Sequence, residues 1–381
     1  MSNDNGRVII KEVRTKKDTK AFIEFPLKLY KGTDGFVPPL YGDERKLLKN
    51  GGKRDVGESV FYLAFKDGRV VGRIEGLIQR EYNHIHKTRE MRFTRFDAID
   101  DPEVSRALFS AVEEWGRERG MCELVGPLGY SDLDREGLLV FGFDEKSTFE
   151  EQYNYEYYEK LVLDAGLTKD ADWLEFELRA PEKRNDMLRR VAERTLELCG
   201  LHIADNSMSK RAYISKYRDG FFDCLDRCYA KLYGTAPISK EMQDELISQF
   251  MLIINKKYLV FICDKDERVV AFGLCFPSIA DAVKPNGRLN PITVLKILGA
   301  VRNPRTIDLG LIAVDPEYQN TGINAVILNC LCDMLFDYGV ERCETNLNLE
   351  TNTQVISQWK HFKSRNHKRR RAYRKQIDKA N

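Results

Sequence analysis

The sequence predicts an α/β protein with a mixed sheet, built as two copies of one fold, and three observations carry that expectation. The chain has 381 residues, more than one ordinary core of roughly 150 to 200 residues encloses. Two strand pairs about 200 residues apart nearly repeat one another: Tyr62-Leu-Ala-Phe with Arg69-Val-Val-Gly, and Tyr258-Leu-Val-Phe with Arg268-Val-Val-Ala. After each pair the pattern runs strand, helix, strand, helix.

In the first copy, residues 8–14 alternate as a strand, and Thr15 followed by Asp18 forms a helix start leading to Ala21, Phe22, Phe25, Leu27 and Leu29. Residues 32–52 read as loop with one short helical piece. Residues 62–66 and 69–78 are strands joined at Asp67-Gly68, a strong hairpin signal. Residues 91–99 alternate as a third strand. Asp100-Asp-Pro-Glu103 opens a helix with apolar positions Val104, Leu108, Val112 and Trp115. A buried strand follows at 122–126.

In the second copy, residues 186–199, 212–232 and 239–255 are helical, and the repeated hairpin occupies 258–276. A strand at 306–314, a helix at 323–338, a strand at 342–347 and a helix at 352–363 complete it. The polar stretch Ala180-Pro-Glu-Lys-Arg-Asn185 carries the boundary, so the expected domains are residues 1–182 and 183–381.

Composition narrows the class. Hydrophobic residues at 43% and charged residues at 31%, with only 12 Pro, describe a globular chain rather than a disordered or collagenous one. No apolar run approaches the ~20 residues that span a bilayer. MSNDNGRVII has no basic segment leading into an apolar one, so a cytoplasmic location is expected, with the nine cysteines reduced. Charge is unevenly placed: +2 overall less the nine Lys/Arg between Lys360 and Lys375 leaves −7 for the remainder. Such a basic run suggests phosphate binding, yet alternating basic residues that face solvent or balance the acidic body explain it better than nucleic acid does.

The chemistry concentrates in Leu309-Gly-Leu-Ile-Ala-Val-Asp-Pro-Glu-Tyr-Gln-Asn-Thr-Gly-Ile-Asn324. A strand ends at Val314, Asp315-Pro316 turns, and a helix begins near Gly322. That geometry turns backbone N–H groups of residues 319–324 toward an anion such as a pyrophosphate. The Gly-Lys-Ser/Thr of a P-loop is absent.

This segment resembles the GNAT superfamily of acyl-CoA-dependent N-acyltransferases, through Val314, Pro316, Tyr318, Gln319 and Gly322, with Asn324 where the family has a small residue. The two-copy length and the Gly287-Arg-Leu-Asn-Pro291 insertion resemble a bacterial group of tandem GNAT-like proteins, so the resemblance implies two tandem GNAT-like domains. It implies acyl-CoA, acetyl-CoA or another, as cosubstrate, with no metal. It further implies that Gln319, Asn320, Thr321, Gly322, Ile323 and Asn324 hold the pyrophosphate, and that the backbone of Ile312, Ala313 and Val314 pairs with the pantetheine arm. Asn352 would join them, and residues 362–373 look like the family's last strand pair.

Two departures stand out. Trp359 occupies the position where the family often has a Tyr acting as general acid, and an indole N–H does not release a proton in a useful range. In the first copy Asp100-Asp-Pro-Glu103 replaces the phosphate loop, and its carboxylates repel an anion. Base candidates are Glu344 and Glu350, with Asp308 behind them. The polar, Gly-rich residues 126–139 line a pocket shared with the second copy or simply connect.

The expected function is therefore transfer of an acyl group, acetyl by default, to an amine of a small molecule or peptide. The alternative is a non-catalytic GNAT-like protein that senses CoA or a metabolite or binds a partner. Cys224, Cys228, Cys330 and Cys332 read as core. Glu81, His84 and His86 read as surface loop rather than metal ligands, and Tyr153 to Tyr158 as cover for the core edge.

Overall fold

The computed structural model describes residues 6–49 and 54–377. The first half contains β1 (Ile9–Glu12), α1 (Lys16–Leu29), α2 (Tyr41–Leu47), β2 (Gly57–Lys66), β3 (Arg69–Gln79), α3 (Arg80–His86), β4 (Glu90–Ala98), α4 (Pro102–Arg117), β5 (Glu123–Gly126), β6 (Leu138–Phe141), α5 (Tyr158–Asp164) and β7 (Thr168–Arg179). The second contains α6 (Asp186–Cys199), β8 (His202–Ile203), α7 (Lys210–Tyr229), α8 (Lys240–Phe250), β9 (Leu259–Cys263), β10 (Val269–Pro277), α9 (Ala280–Val283), α10 (Pro291–Arg302), β11 (Thr306–Val314), α11 (Ile323–Asp337), β12 (Arg342–Thr345), β13 (Asn348–Leu349), α12 (Thr353–Ile356) and β14 (Lys363–Gln376).

Local chemistry explains the first copy's elements. Thr15 and Asp18 form a reciprocal capping box at the start of α1. Asp67 at φ 50° and Gly68 at φ 73° make the tight turn between β2 and β3. Asp101 caps α4, which buries Val104, Leu108, Val112 and Trp115. The Glu81, His84 and His86 cluster lies on an exposed helix, α3, rather than on a loop.

The strands form one continuous sheet in the order β1-β2-β3-β4-β5-β14-β7-β12-β11-β10-β9-β8, with β6 on β14 and β13 on β7. Each copy supplies an antiparallel meander ending in a short parallel pair, β4 with β5 and β11 with β12. Between the parallel pairs the copies exchange their long strands. β14, last in the second copy, lies beside β5 of the first, and β7 of the first lies beside β12 of the second. β7 and β14 also pair with each other from Arg179–Lys363 to Thr168–Arg374.

This exchange corrects one expectation and decides another. Residues 362–373 are not a strand pair but most of one strand, whose partners come from the first copy. Of the two roles expected for its basic residues, balancing the acidic body holds for Lys368 and Arg370, which are fully buried. Lys368 Nζ lies 2.6 Å from Glu151 and 2.7 Å from Glu175, and Arg370 Nε 2.7 Å from Glu175. On the opposite face of the strand Arg371 Nε meets Asp172 at 2.7 Å. The pleat sorts alternate cations to opposite faces, where carboxylates, several of them from β7, neutralise them. The basic segment is the seam of the molecule.

The predicted helix over 352–363 is also shorter. It is one turn, α12, followed by a 3-10 stretch to His361 that seats Trp359 in the core.

Candidate active site

The second copy's parallel strands pair only as far as Leu309–Thr345, although β11 continues to Val314, so they part and leave a cleft. At the fork the register of β10 and β11 slips by one residue, leaving Gly310 unpaired. A Cβ at Gly310 would lie 2.7 Å from the Phe276 ring. Only glycine keeps this wall free of a side chain.

The turn after β11 is held from below. Asp315, 1% exposed, accepts from the Glu317 N–H at 3.1 Å, from Arg227 Nε at 2.8 Å and from Arg268 at 2.9 Å. Gln319 Nε2 donates to the Val314 carbonyl at 3.2 Å, and Asn320 and Gly322 take positive φ angles of 63° and 97°. A Cβ on Gly322 would stand 2.7 Å from Thr195 Oγ1 on α6, and α11 begins there without a side chain accepting from its first turn. Its N–H groups and dipole are open to an anion.

A cavity of about 790 Å³ extends from this turn into the cleft, a size that suits a small-molecule ligand. Val314, Gln319 and Asn324 line one part of it. Another part is apolar, with Ile214, Phe221, Phe250, Ile254, Leu274 and Phe276 from α7, α8 and the turn after it, and the sheet. The first copy contributes Asp132, Asp134, Glu136, Glu150, Glu151 and Trp173. Tyr229 on α7 donates its hydroxyl to the Ile312 carbonyl at 3.3 Å. Trp359 is 1% exposed, and among the described residues its indole N–H has no partner.

The carboxylates are unequal. Asp134 accepts the Tyr130 and Ser131 N–H groups at 2.8 and 3.2 Å and serves its own loop. Burial pushes Asp132 up to about 6 and Glu150 up to about 7. Burial, reinforced by Asp132, drives Glu136 well above the ordinary carboxylate range, and its Oε1 has no partner among the described residues.

Of the residues expected to bind the cosubstrate, Ile312, Ala313, Val314, Gln319, Asn324 and Asn352 line the cavity. Asn320, Thr321 and Gly322 form the turn beside it, and the Ile323 side chain is in the core, so only its backbone faces the turn. Asn352 Oδ1 accepts the Val355 N–H at 3.3 Å and caps α12.

The expected bases lie elsewhere. Thr345 faces the cavity, so its neighbour Glu344 points to the other side of β12, where His367 Nε2 lies 2.8 Å from its carboxylate. Glu350 is paired with Lys169 at 3.0 Å, outside the cavity wall. Asp308 is buried behind the strand, pushed up by burial and by Glu150 and Glu344.

Of the stretch 126–139, offered as lining a shared pocket or as a connection, Asp132, Asp134 and Glu136 do line the cavity, whereas nothing in the sequence singled out Glu150 or Tyr229. The acidic density of Ser131-Asp-Leu-Asp-Arg-Glu136 inside the Gly-rich stretch was the available signal for the first three. Cys224, Cys228, Cys330 and Cys332 all pack with the core, Cys228 also reaching the cavity wall. Tyr153 and Tyr158 are buried in the first copy's core, Tyr158 2.5 Å from the Tyr30 hydroxyl.

Comparison with known proteins agrees with this geometry. Residues 219–362, which hold the turn and most of the cavity, match the acetyltransferase (GNAT) family. The chain is 26% identical to Protein YghO of Escherichia coli strain K12, over 97% of this chain and 95% of that one. It is 24% identical to the bacterial ceramide synthase of Caulobacter vibrioides, over 98% of each. A tandem GNAT protein from the clavulanic acid biosynthesis pathway superposes with a TM-score of 0.57 at 11% identity, over 98% of this chain and 100% of that one. Residues 219–362 thus match the acetyltransferase (GNAT) family, and the chain as a whole shares the fold of a tandem GNAT protein.

Proposed function

We propose that the protein transfers the acyl group of an acyl-CoA to the amine of a long-chain, amphipathic acceptor. The observation that carries this reading is the single cavity of about 790 Å³, with an open helix start, an apolar wall and buried carboxylates on its lining. Residues 319–324 would hold the pyrophosphate, and Ile312 to Val314 the pantetheine arm. The apolar wall suits a hydrocarbon chain better than the short acetyl group expected from sequence. The resemblance over the whole length to a ceramide synthase supports the same class, a ceramide being the fatty amide of a long-chain amino alcohol.

Positioning of amine and thioester would supply most of the rate. Asp132, ionised near neutrality, would take a proton from the ammonium, so that the amine nitrogen can attack the thioester carbonyl. The new C–N bond then forms as the C–S bond breaks, and the second proton shed by the nitrogen would restore Glu136 after that residue has protonated the thiolate. Glu136, kept neutral, is a proton source for the departing thiolate, and environments that push two carboxylates apart are the usual mark of such a division. No metal is needed for these steps. A cytoplasmic location, where acyl-CoA is made and used, belongs to the same proposal.

The test is incubation of the purified chain with palmitoyl-CoA and sphinganine, following free thiol and the amide mass. Thiol release matched by amide formation is expected. Binding of palmitoyl-CoA without release, across a panel of long-chain amines, would leave the second reading, a non-catalytic acyl-CoA binder, which Trp359 in place of a tyrosine favours.

A further inference from the structure

Helix α10 is apolar on two sides. Its inner side is anchored by Ile297, fully buried in the same cluster as the cavity-lining Ile254 and Phe276. A surface helix ordinarily turns polar side chains outward. Here the outward side carries Ile292, Leu295 and Leu298, exposed by 68%, 69% and 48%, with Leu289 at 50% just before the helix. Spacing by three residues places them in one stripe. Single exposed leucines need no explanation, but a contiguous stripe rimmed by charge of one sign does.

That sign is positive. Between Asp281 and Asp308 there is no Asp or Glu, while Lys284, Arg288, Lys296, Arg302 and Arg305 are basic. Arg288 is paired with Glu24 and Arg305 with Glu341, which leaves Lys296 and Arg302 as the unpaired cations on the helix among the described residues. Both are exposed and flank the stripe.

We propose that α10 docks this protein onto the surface of an anionic lipid bilayer. Ile292, Leu295 and Leu298 enter the headgroup layer, and Lys296 and Arg302 meet lipid phosphates. Charge selects this occupant over a second copy of the chain, because a twofold contact through α10 would bring Lys296 and Arg302 against themselves. Among the described residues no helix is long and apolar enough to cross a membrane, so the attachment is to one face. The proposal is independent of acyl transfer and is read without it.

The test is co-sedimentation of the full chain with vesicles of phosphatidylglycerol and, separately, of phosphatidylcholine. Binding to phosphatidylglycerol is expected, weaker by on the order of tenfold on phosphatidylcholine or with Lys296→Ala and Arg302→Ala together. Ile292→Asp with Leu295→Asp should lose at least about tenfold. Leu198→Asp, at a leucine 72% exposed on α6, should bind as the parent does. All five substitutions are at exposed positions, and an unchanged melting temperature confirms the fold. Failure of the parent to sediment with phosphatidylglycerol, or equal binding by the double aspartate variant, overturns the proposal. So does a dimer that this variant dissociates, seen by light scattering, with no vesicle binding.

Discussion

The two copies share a frame and differ in what fills the fork between their parallel strands. In the second copy Gly310 stands unpaired at the slip in register, and the fork opens into about 790 Å³. In the first the register of β3 and β4 slips beside Arg95, at φ 48°, and the space left among Tyr30, Arg73, Arg95 and Asp97 is about 20 Å³. Arg95 reaches Glu44 at 3.0 Å and Glu75 at 2.8 Å, and Arg73 reaches Asp97 at 2.7 Å. Burial would push Glu44 up, but Arg95 and Arg73 hold it down at about 2. The turns differ in the same sense. Asp101 accepts the Glu103 N–H at 2.9 Å and receives Lys66 at 2.8 Å, closing the start of α4, whereas α11 starts open. One fork is filled by a charge network, while the other opens into a cavity. The fold alone does not decide between them.

The comparison breaks first at Arg95. Arg95→Ala leaves Glu44 and Glu75 buried short of a cation and should destabilise the protein by about 3–5 kcal/mol in urea unfolding. Palmitoyl-CoA affinity of the folded fraction should stay as it is. A large gain in ligand binding instead would show that the closed fork is an occluded site rather than a structural one.

The carboxylates that the first copy lends to the open fork come next. Asp132→Asn should lower kcat by about a hundredfold with little change in acyl-CoA affinity. The parent's kcat/KM should rise with pH through about 6 as Asp132 loses its proton. Stability should run the other way. Because the folded pKa is raised, this group's contribution is present below the ordinary carboxylate value of about 4. It is lost as pH rises through about 6, and Asp132→Asn should remove that slope.

The smallest effects separate the two helix starts. Asn324→Glu places a carboxylate where a pyrophosphate would sit and should weaken acyl-CoA binding by about tenfold in calorimetry, while leaving the helix as stable or slightly more so. Asp101→Ala should do the reverse, costing about 1 kcal/mol of stability with no effect on acyl-CoA.

Much of this was legible locally. The hairpin at Asp67-Gly68, the capping box at Thr15, the bounds of β11 and the turn through Gly322 depend on neighbours in sequence, and they stand where pattern placed them. The acid–base assignment was less legible, since Glu344 and Glu350 are near the motif in sequence but β12 turns Glu344 away and Lys169 holds Glu350. Asp132 and Glu136 are far from the motif in sequence, and only packing brings them to the cavity.

The sequence by itself determined two copies of one element order, with a turn through Gly322 ahead of the helix in the second and Asp100-Asp-Pro-Glu103 in its place in the first. These follow from periodicity, turn chemistry and charge within short windows. Tertiary structure alone decided that the basic end would become the seam between the copies. The pairing of Lys368 with Glu175 and of Arg371 with Asp172 joins residues far apart in the chain, and a local pattern does not name a strand's distant partner. The near-zero net charge of +2 hides that match: acidic body and basic strand neutralise one another inside the sheet, where an unpaired charge would not be tolerated.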